Sequence, residues 1–294
     1  MDYTTLISAK GTAGSILNWV GYSKMDAPTL LEESQALIYE FLRVREMRKE
    51  WVFGASVGTS AISLPSRFLD PIGKIENTVQ NTEYDHLTEA RVKELRTYDE
   101  ISSVSLGASP FTTVSGSGLV TVNKTAHGIT QDSKLTIAGA SAVNSITPNG
   151  TYPVVSITDA DNFVIDTGGT ASASGSGGGS SATYTGSLLV QGSPICWSIW
   201  DDQVKFNAAF DEAAVMSMLY YRLPDSLSAT NTTNFLTIKY PRLLRVASLA
   251  IAAEFMKDDA EYNKQVAALQ AMIRQTAITD DFSYRGASFG TETP

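Results

Sequence analysis

The chain has 294 residues, 43% of them hydrophobic and 18% charged, with a formal net charge of −9. That composition describes a folded chain with room for one or two domains and excludes a disordered one. The acid excess argues against a general nucleic-acid or anionic-membrane binder, which needs a basic face, but it allows contact with DNA that must slide and not stick. The single cysteine, Cys196, rules out an internal disulfide framework and, between Ile195 and Trp197, reads as a small buried hydrophobe. The opening residues MDYTTLISAKG lack a charged and then apolar signal pattern. No stretch reaches the roughly 18 uncharged apolar residues of a membrane span.

In chain order, Leu6, Ala9, Ala13, Ile16, Leu17 and Val20 lie on one stripe and predict a helix over residues 3–20. Gly11 and Gly14 weaken it, at roughly 1 kcal/mol each, so a break is expected there. Residues 29–50 predict the clearest helix of the first half, with Leu30, Leu37, Ile38, Phe41, Leu42 and Val44 inward. Glu32 and Glu33 stand at its start and Arg43, Arg45, Arg48 and Lys49 near its end, as the helix dipole favours. Residues 51–75 switch to a strand period, read as two short strands around a turn at Gly58 and stopped by Pro65. A short helix is expected over residues 86–98, bearing Leu87, Ala90, Val92 and Leu95.

Residues 109–186 differ from everything around them. Ser, Thr, Gly, Ala and Val dominate, and Lys124 and Lys134 stand against Asp132, Asp159, Asp161 and Asp166. Short strands are expected at residues 114–122, 134–137, 151–157 and 162–166, which suggests a small barrel. The Ser/Gly run over residues 172–181 reads as a flexible tether. The expectation is a β-barrel inserted into a loop of a host, giving a host domain in two segments, 1–108 and 187–294, around an inserted domain at 109–186. After it, residues 196–199 and 203–206 form a hairpin candidate turning at Asp201 and Asp202. Residues 215–221 alternate as a third strand. Residues 235–257 and 259–278 predict an antiparallel helix pair, with a carboxylate at Asp258 or Asp259 capping the second helix. The fold class expected is α+β: a mainly helical domain with a small antiparallel sheet, interrupted by an all-β barrel.

Catalytic chemistry is hard to find. His86 and His127 have no Cys, His or carboxylate partner at metal-ligand spacing. No G-x-S-x-G elbow is present, and Cys196 lacks a nucleophile's surroundings. The glycines from Gly175 to Gly179 lack the Lys-Ser/Thr of a phosphate loop. The acid pairs Glu32-Glu33, Asp201-Asp202, Asp258-Asp259 and Asp280-Asp281 are adjacent in sequence, so their carboxylates diverge and read as caps and turns. The basic run over residues 43–49 reads as a solvated helix end interleaved with Glu46 and Glu50. The expectation is no enzyme, no catalytic, cofactor or metal residues, and no cofactor.

The host segments carry a familiar order of motifs. Y-T-T-L-I opens the first helix and F-L-R-V-R-E-M-R-K closes the second; I-S-L-P-S-R-F-L-D-P-I, W-S-I-W-D-D-Q-V-K-F and L-Y-Y-R-L-P follow; N-F-L-T-I-K-Y-P-R-L-L-R-V-A-S-L-A-I-A-A-E-F-M-K-D-D-A leads into the last helix. This order, over residues 1–107 and 187–286, resembles the head-to-tail adaptor (connector) proteins of short-tailed phages. The segment G-L-V-T-V-N-K-T-A-H-G-I-T with N-G-T-Y-P-V-V-S-I-T-D-A-D-N-F-V-I-D-T is similar to a small β-barrel module common in phage structural proteins.

The resemblance implies a structural virion protein of the phage neck, made in the host bacterial cytoplasm. It implies a homo-oligomeric ring, commonly twelve-fold, beneath the portal protein. Such a ring extends the DNA channel, docks tail nozzle, tube or fibre proteins, and lets genomic DNA pass without sequence-specific binding or any membrane. A second implied reading is a cell-wall-binding or peptidoglycan-hydrolysing virion protein, for which no catalytic residue can be matched. Residues 279–294 are too polar and Gly-interrupted to hold a core, yet carry spaced aromatics. That pattern predicts a portal-binding tail through Phe282, Tyr284, Arg285 and Phe289.

Overall fold

The computed structural model describes residues 1–21 and 25–285, the side chains of 281–285 excepted. Helices α1 (Tyr3–Leu6), α2 (Ile16–Val20) and α3 (Ala27–Phe41) come first, then a 3-10 turn, Arg45–Met47. Strands β1 (Arg48–Ala55), β2 (Ala61–Ser63), β3 (Phe68–Asn77) and β4 (Thr82–His86) precede α4 (Glu89–Leu95). Eight strands follow: β5 (Tyr98–Ser105), β6 (Phe111–Thr113), β7 (Leu119–Asn123), β8 (Lys134–Ala138), β9 (Gly150–Ile157), β10 (Asn162–Asp166), β11 (Gly175–Gly177) and β12 (Thr183–Leu189). The chain returns through β13 (Gln191–Gly192), β14 (Cys196–Trp200), β15 (Gln203–Phe206), β16 (Ala209–Phe210) and β17 (Ala214–Arg222). It finishes in α5 (Phe235–Lys239), α6 (Pro241–Phe255) and α7 (Asp259–Arg285). Contacts divide these elements into a helical unit, residues 1–49, 67–70 and 220–294, and a β unit, residues 50–66 and 71–219.

The fold is not mainly helical: strands make up 34% of it against 27% for helices. The strands that tip the balance hide from periodicity. β3 contains Pro71 and Gly73 and buries only Ile75 and Asn77. β5 has no fully buried residue at all. A strand with so few buried positions, such as β5 with only Ile101 and Val104 partly buried against the barrel core, shows little alternation to read.

In the helical unit the apolar stripe of α3 packs on α6, and α6 packs on α7. Small residues let α3 and α6 approach: Ser34 and Ser248 hydroxyls lie 3.2 Å apart, each also donating to the carbonyl four residues back, Leu30 or Leu244. Leu30, Leu31, Ile38, Leu244, Leu269 and Ile273 fill the core, each such side chain contributing about 1.5–3 kcal/mol on burial. The helix expected over residues 3–20 breaks where its glycines lie, with Gly11 at φ 105° and Gly14 at φ 86°. The helix expected over residues 29–50 stops at Phe41. Leu42 and Val44 are buried while Arg43 and Arg45 point outward, so the period has already changed to two, and β1 starts at Arg48. Of the predicted helix pair, the first breaks at Tyr240 into α5 and α6 and ends at Phe255, while the second runs on as α7 to Arg285, with the Asp258 carboxylate accepting from Glu261 N at 3.0 Å.

The β unit holds two large sheets and the short parallel pair β13–β16. One is seven-stranded, in the order β1-β17-β3-β4-β14-β15-β2. β1 and β2 therefore sit at opposite edges, and Gly58 joins two distant strands instead of turning a hairpin. The expected hairpin is present: β14 pairs β15 antiparallel, and Asp201 and Asp202 turn it with φ 54° and 55°, the left-handed pair of a type I′ turn. Trp197, Val204, Phe206 and Phe210 are buried beneath it. Cys196 is buried with them, as expected, and burial pushes its thiol up.

The eight-stranded sheet, in the order β11-β6-β7-β10-β9-β8-β12-β5, is nearly a closed barrel. Its seam is one long ribbon: Tyr98 faces Leu189 in the β5–β12 pair and Thr113 faces Gly175 in the β6–β11 pair. Between them Leu106 N donates to Ala182 O and Ser109 N to Gly179 O. β7 leaves one half of this ribbon and β8 joins the other, which curls the sheet round. Inward positions alternate cleanly, Val120 and Val122 in β7, Leu135 and Ile137 in β8, Phe163 and Ile165 in β10. The Ser/Gly run at 172–181 is not a tether, because it contributes β11 to this seam. Gly178, at φ 104°, is required there: a Cβ would stand 2.2 Å from the Phe111 ring.

Candidate assembly site

In the helical unit a cleft opens where α5, α6 and the end of α7 meet the Arg45–Met47 turn. Asn234 starts α5 with a capping box, its side chain accepting from Leu236 N and Thr237 N while Thr237 Oγ1 accepts from Asn234 N. Its amide also reaches the Tyr39 hydroxyl, 3.2 Å away. Tyr240 then breaks the helix, and Pro241 restarts it as the first residue of α6. The result is a cleft of about 510 Å³, with Arg45, Lys239 and Arg242 set against Glu46 and Asp280, over Leu243 and Met272.

Two ion pairs hold its walls. The Asp280 side chain is 5% exposed and accepts from Arg45 N at 2.8 Å and from Arg45 Nε at 2.6 Å. That hydrogen bond and charge raise the Arg45 guanidinium further above its ordinary value. Lys239 pairs with Glu46 Oε1, which raises the lysine in the same way. The second oxygen, Glu46 Oε2, is buried and has no hydrogen-bond partner. Burial raises the Tyr240 hydroxyl, helped by the negative charge of Glu46 and Asp280. Arg242 is exposed and has no ion-pair partner among the described residues.

The acid pairs therefore do not all behave as caps and turns. Asp258 caps and Asp201-Asp202 turns, but Asp280 is a buried ion-pair partner. The basic run over residues 43–49 is likewise no solvated helix end: Arg43 pairs with Asp70 at 2.6 Å, and Arg43 and Arg48 lie 6.0 and 5.8 Å from the Tyr221 ring. Sequence reasoning could not bring Arg45 and Asp280 together, since 235 positions separate them. Of the residues expected to bind the portal, Phe282, Tyr284 and Arg285 fall in the last turns of α7, with side chains outside the described residues. Phe289 lies outside the described residues altogether.

The β unit carries a buried charge cluster at Asp132. Its carboxylate accepts from Arg96 at 2.9 Å and from Ser60 Oγ at 3.1 Å, with Lys205 at 3.5 Å. Arg96, held also by Phe206 O, and Lys205 are 6% and 11% exposed in their side chains. Lys93, Arg96 and Lys205 each lie within 5.3 Å of the Trp200 ring centroid. This cluster joins the barrel loop bearing Gln131 and Asp132 to the seven-stranded sheet.

His127 makes turn contacts, Nδ1 accepting from Ile129 N at 2.8 Å and Nε2 lying 3.0 Å from Asp159 O. It lines an open cleft of about 570 Å³ with Val57, Gly58, Ile157 and Gln191. His86 stacks on Trp197 with ring centroids 4.3 Å apart, and burial lowers its basicity. Among the described residues no group of three or more His, Cys, Asp or Glu is arranged to hold a metal ion. No helix among them is long and apolar enough to cross a membrane.

No curated protein sequence matches this chain. Among solved structures it is similar to a phage phi92 endosialidase, at 10% identity and a TM-score of 0.23, over 50% of this chain and 22% of that one. The chain thus spans about a fifth of that protein's length, and so low a score carries no argument about fold or activity. The family model for SU10 adaptor protein matches residues 138–289, from the second half of the barrel through α7. The match takes in more than half of the chain, which therefore belongs to the SU10 adaptor family of phage head-to-tail adaptors, structural proteins of the virion.

Proposed function

We propose that this adaptor assembles as a twelve-fold ring beneath the portal protein, extends the DNA channel and docks tail nozzle, tube or fibre proteins. Genomic DNA passes through without sequence-specific binding. The family match carries this reading. It is supported by the acid excess, −9 per copy, which repels DNA phosphate instead of retaining it. In the same reading residues 1–108 and 187–294 are the adaptor proper. Residues 109–186 are a module set into it and facing away from the channel. Phe282, Tyr284, Arg285 and Phe289 engage the portal.

Co-assembly with the portal protein of the same virion, imaged by cryo-EM, is the direct test. A ring of this chain bound to the portal is expected. Density elsewhere in the particle, or turnover of peptidoglycan by the purified chain, would overturn the reading. The portal contact is tested by replacing Phe282, Tyr284 and Phe289 together with alanine. Truncation after Ile278 is a poor substitute, because it removes Asp280 and strips Arg45 of its partner. Unchanged portal binding by the triple variant removes those residues from the contact.

A further inference from the structure

We propose that the open edge of β1 pairs with β1 of a second copy of this chain, antiparallel and about a two-fold axis at Val52, so that two seven-stranded sheets join across it. The inference goes beyond the ring reading and concerns the chain before it meets the neck. A ring of one polarity needs two different contact surfaces, whereas a two-fold pair uses the same surface twice.

The edge strands of the two large sheets are not alike. β2 and β11 have three residues each, and the N–H groups of Ser60 and Ala61 at the start of β2 are taken by the Gln131 side chain. β5 has eight residues, but it carries Asp99 and Glu100 and a register shift between its partners Tyr184 and Gly186. Such charges and bulges keep an edge from pairing. β1 also has eight residues, and residues 51–55 of it include no charge and no proline. Standing last in its sheet, β1 leaves one row of backbone N–H and C=O groups without a strand. An edge of this kind is a template for another strand.

The side chains continue the template. Val52 is 59% exposed and alternates with buried Phe53; on neighbouring β17, Val215 and Leu219 are 43% and 49% exposed and alternate with buried Met216 and Met218. The exposed three therefore share the outer face of the sheet. A second Val52 beside the first extends that apolar row instead of ending it in water. The register that does so sets each Trp51 opposite the second copy's Phe53. These two residues already stack within one chain, with ring centroids 3.9 Å apart, and aromatic pairs across strands are among the stabilising ones. The same register sets Glu50 opposite the second copy's Gly54, which has no side chain to obstruct it.

Charge selects a second copy as the occupant and fixes its direction. β1 begins with Arg48 and Lys49. Its other end lies beside residues 210–214, since Gly58 N donates to Phe210 O and a Cβ on Gly54 would stand 3.8 Å from Ala214 O. Asp211 and Glu212 are found there. All four charged residues are exposed, and none has an ion-pair partner among the described residues. The edge is thus basic at one end and acidic at the other, with both ends unmatched. An antiparallel copy brings the missing charge to both ends at once. Its Arg48 and Lys49 come to lie two strands away from Asp211 and Glu212, about 10 Å between backbones, a span that the paired side chains can cover. The net charge of −9 opposes the approach of two copies at long range, so the local order of charge is what aligns them.

Sedimentation equilibrium of the full chain, over about 1–100 μM, is expected to show a monomer of 31.6 kDa in exchange with a dimer of twice that mass. Val52→Lys changes an exposed side chain, leaves circular dichroism unaltered and sets two ammonium groups on the axis; it is expected to weaken the dimer about tenfold or more. Val52→Cys is expected to give a disulfide-linked dimer under mild oxidation, because directly opposed Cβ atoms stand about 4.5–5.5 Å apart. Val79→Cys, more exposed at 74%, is expected not to. Buried Cys196 is common to both. Reversing the acidic end with Asp211→Lys/Glu212→Lys is expected to weaken pairing, and adding Arg48→Glu/Lys49→Glu to restore it.

A chain that stays monomeric to the top of that range overturns the proposal. So does a dimer indifferent to Val52→Lys, or equal cross-linking at residues 52 and 79. An acid-end reversal without effect, or without rescue by the basic-end reversal, means that the strands do not run antiparallel and overturns it as well. These readouts are separate from the ring: a chain that never pairs through β1 can still assemble on the portal, and a pair in solution leaves the ring to its own test.

Discussion

The two units of this protein divide its charge unequally. The helical unit holds 15 basic and 15 acidic side chains, whereas the β unit holds 7 and 16, so the whole net charge of −9 resides in the β unit. They also use charge differently. In the helical unit ions tie remote segments together, Arg43 to Asp70, Arg45 to Asp280, Arg67 to Asp225 and Lys239 to Glu46. In the β unit Val, Ile and Ala side chains around Phe111, Phe163 and Tyr184 make most of the barrel core, and one buried cluster, at Asp132, does the joining. A net charge read from composition is therefore not spread over the molecule. Repulsion between copies acts through the β unit, while the neutral helical unit can meet another protein without a long-range penalty.

The comparison breaks most readily at the barrel core. Phe163 is fully buried, and Phe163→Ala is expected to cost about 3–5 kcal/mol. Urea unfolding should then show the β signal lost early while the helical circular dichroism persists. A single coincident transition would mean that the two units unfold as one. Next in size is Asp132→Asn, which leaves the buried Arg96 without its anion and Lys205 with only the exposed Asp201, 3.6 Å away. It should cost about 1–3 kcal/mol and speed hydrogen exchange at residues 130–133 and in β15. Unchanged exchange there would mean that apolar contact alone seats the barrel loop on the sheet.

A smaller effect sharpens the helical side. Asn234→Ala removes the capping box of α5 and is expected to cost about 1 kcal/mol, with lost protection confined to α5 and the start of α6. Spread of that loss into the barrel would contradict the division into units. The smallest effect is a pH dependence of the β unit alone. His86, stacked on Trp197, is held below its ordinary pKa of 6.5 by burial. A depressed histidine contributes stability that is present above 6.5 and lost as pH falls through the folded value. Melting of the β unit should therefore drop slightly between neutral and mildly acidic pH, and His86→Phe should flatten the drop. An equal slope in the variant would assign the effect to other groups.

Elements that bury one regular face were legible from sequence. α6 and α7, the β14–β15 hairpin and strands β8 and β10 each carry their own period, and the Asp201-Asp202 turn its own residues; the strand expected at 114–122 is shorter, as β7 over Leu119–Asn123. Elements defined by their neighbours were not. β5 buries no residue fully. The Ser/Gly run looks like a linker because the glycine needed beside Phe111 is the same residue that makes linkers flexible. Residues 42–44 continue a helical stripe on paper, yet alternate in and out in the fold. The cleft was illegible for the same reason, since its key pairs join the Arg45–Met47 turn to residues about 190 to 235 positions away.

By itself, then, the sequence determined the local periods, the compositional break at residues 109–186 and the motif order that resembles phage adaptors, because each is written in neighbouring residues. Only the tertiary structure decided that strands outweigh helices and that β1 and β2 lie at opposite sheet edges. It alone showed that Asp280 is a buried partner instead of a turn residue, and that Glu46 keeps one oxygen without a donor. Those outcomes depend on which distant surfaces exclude water together, a condition that no local window of sequence contains.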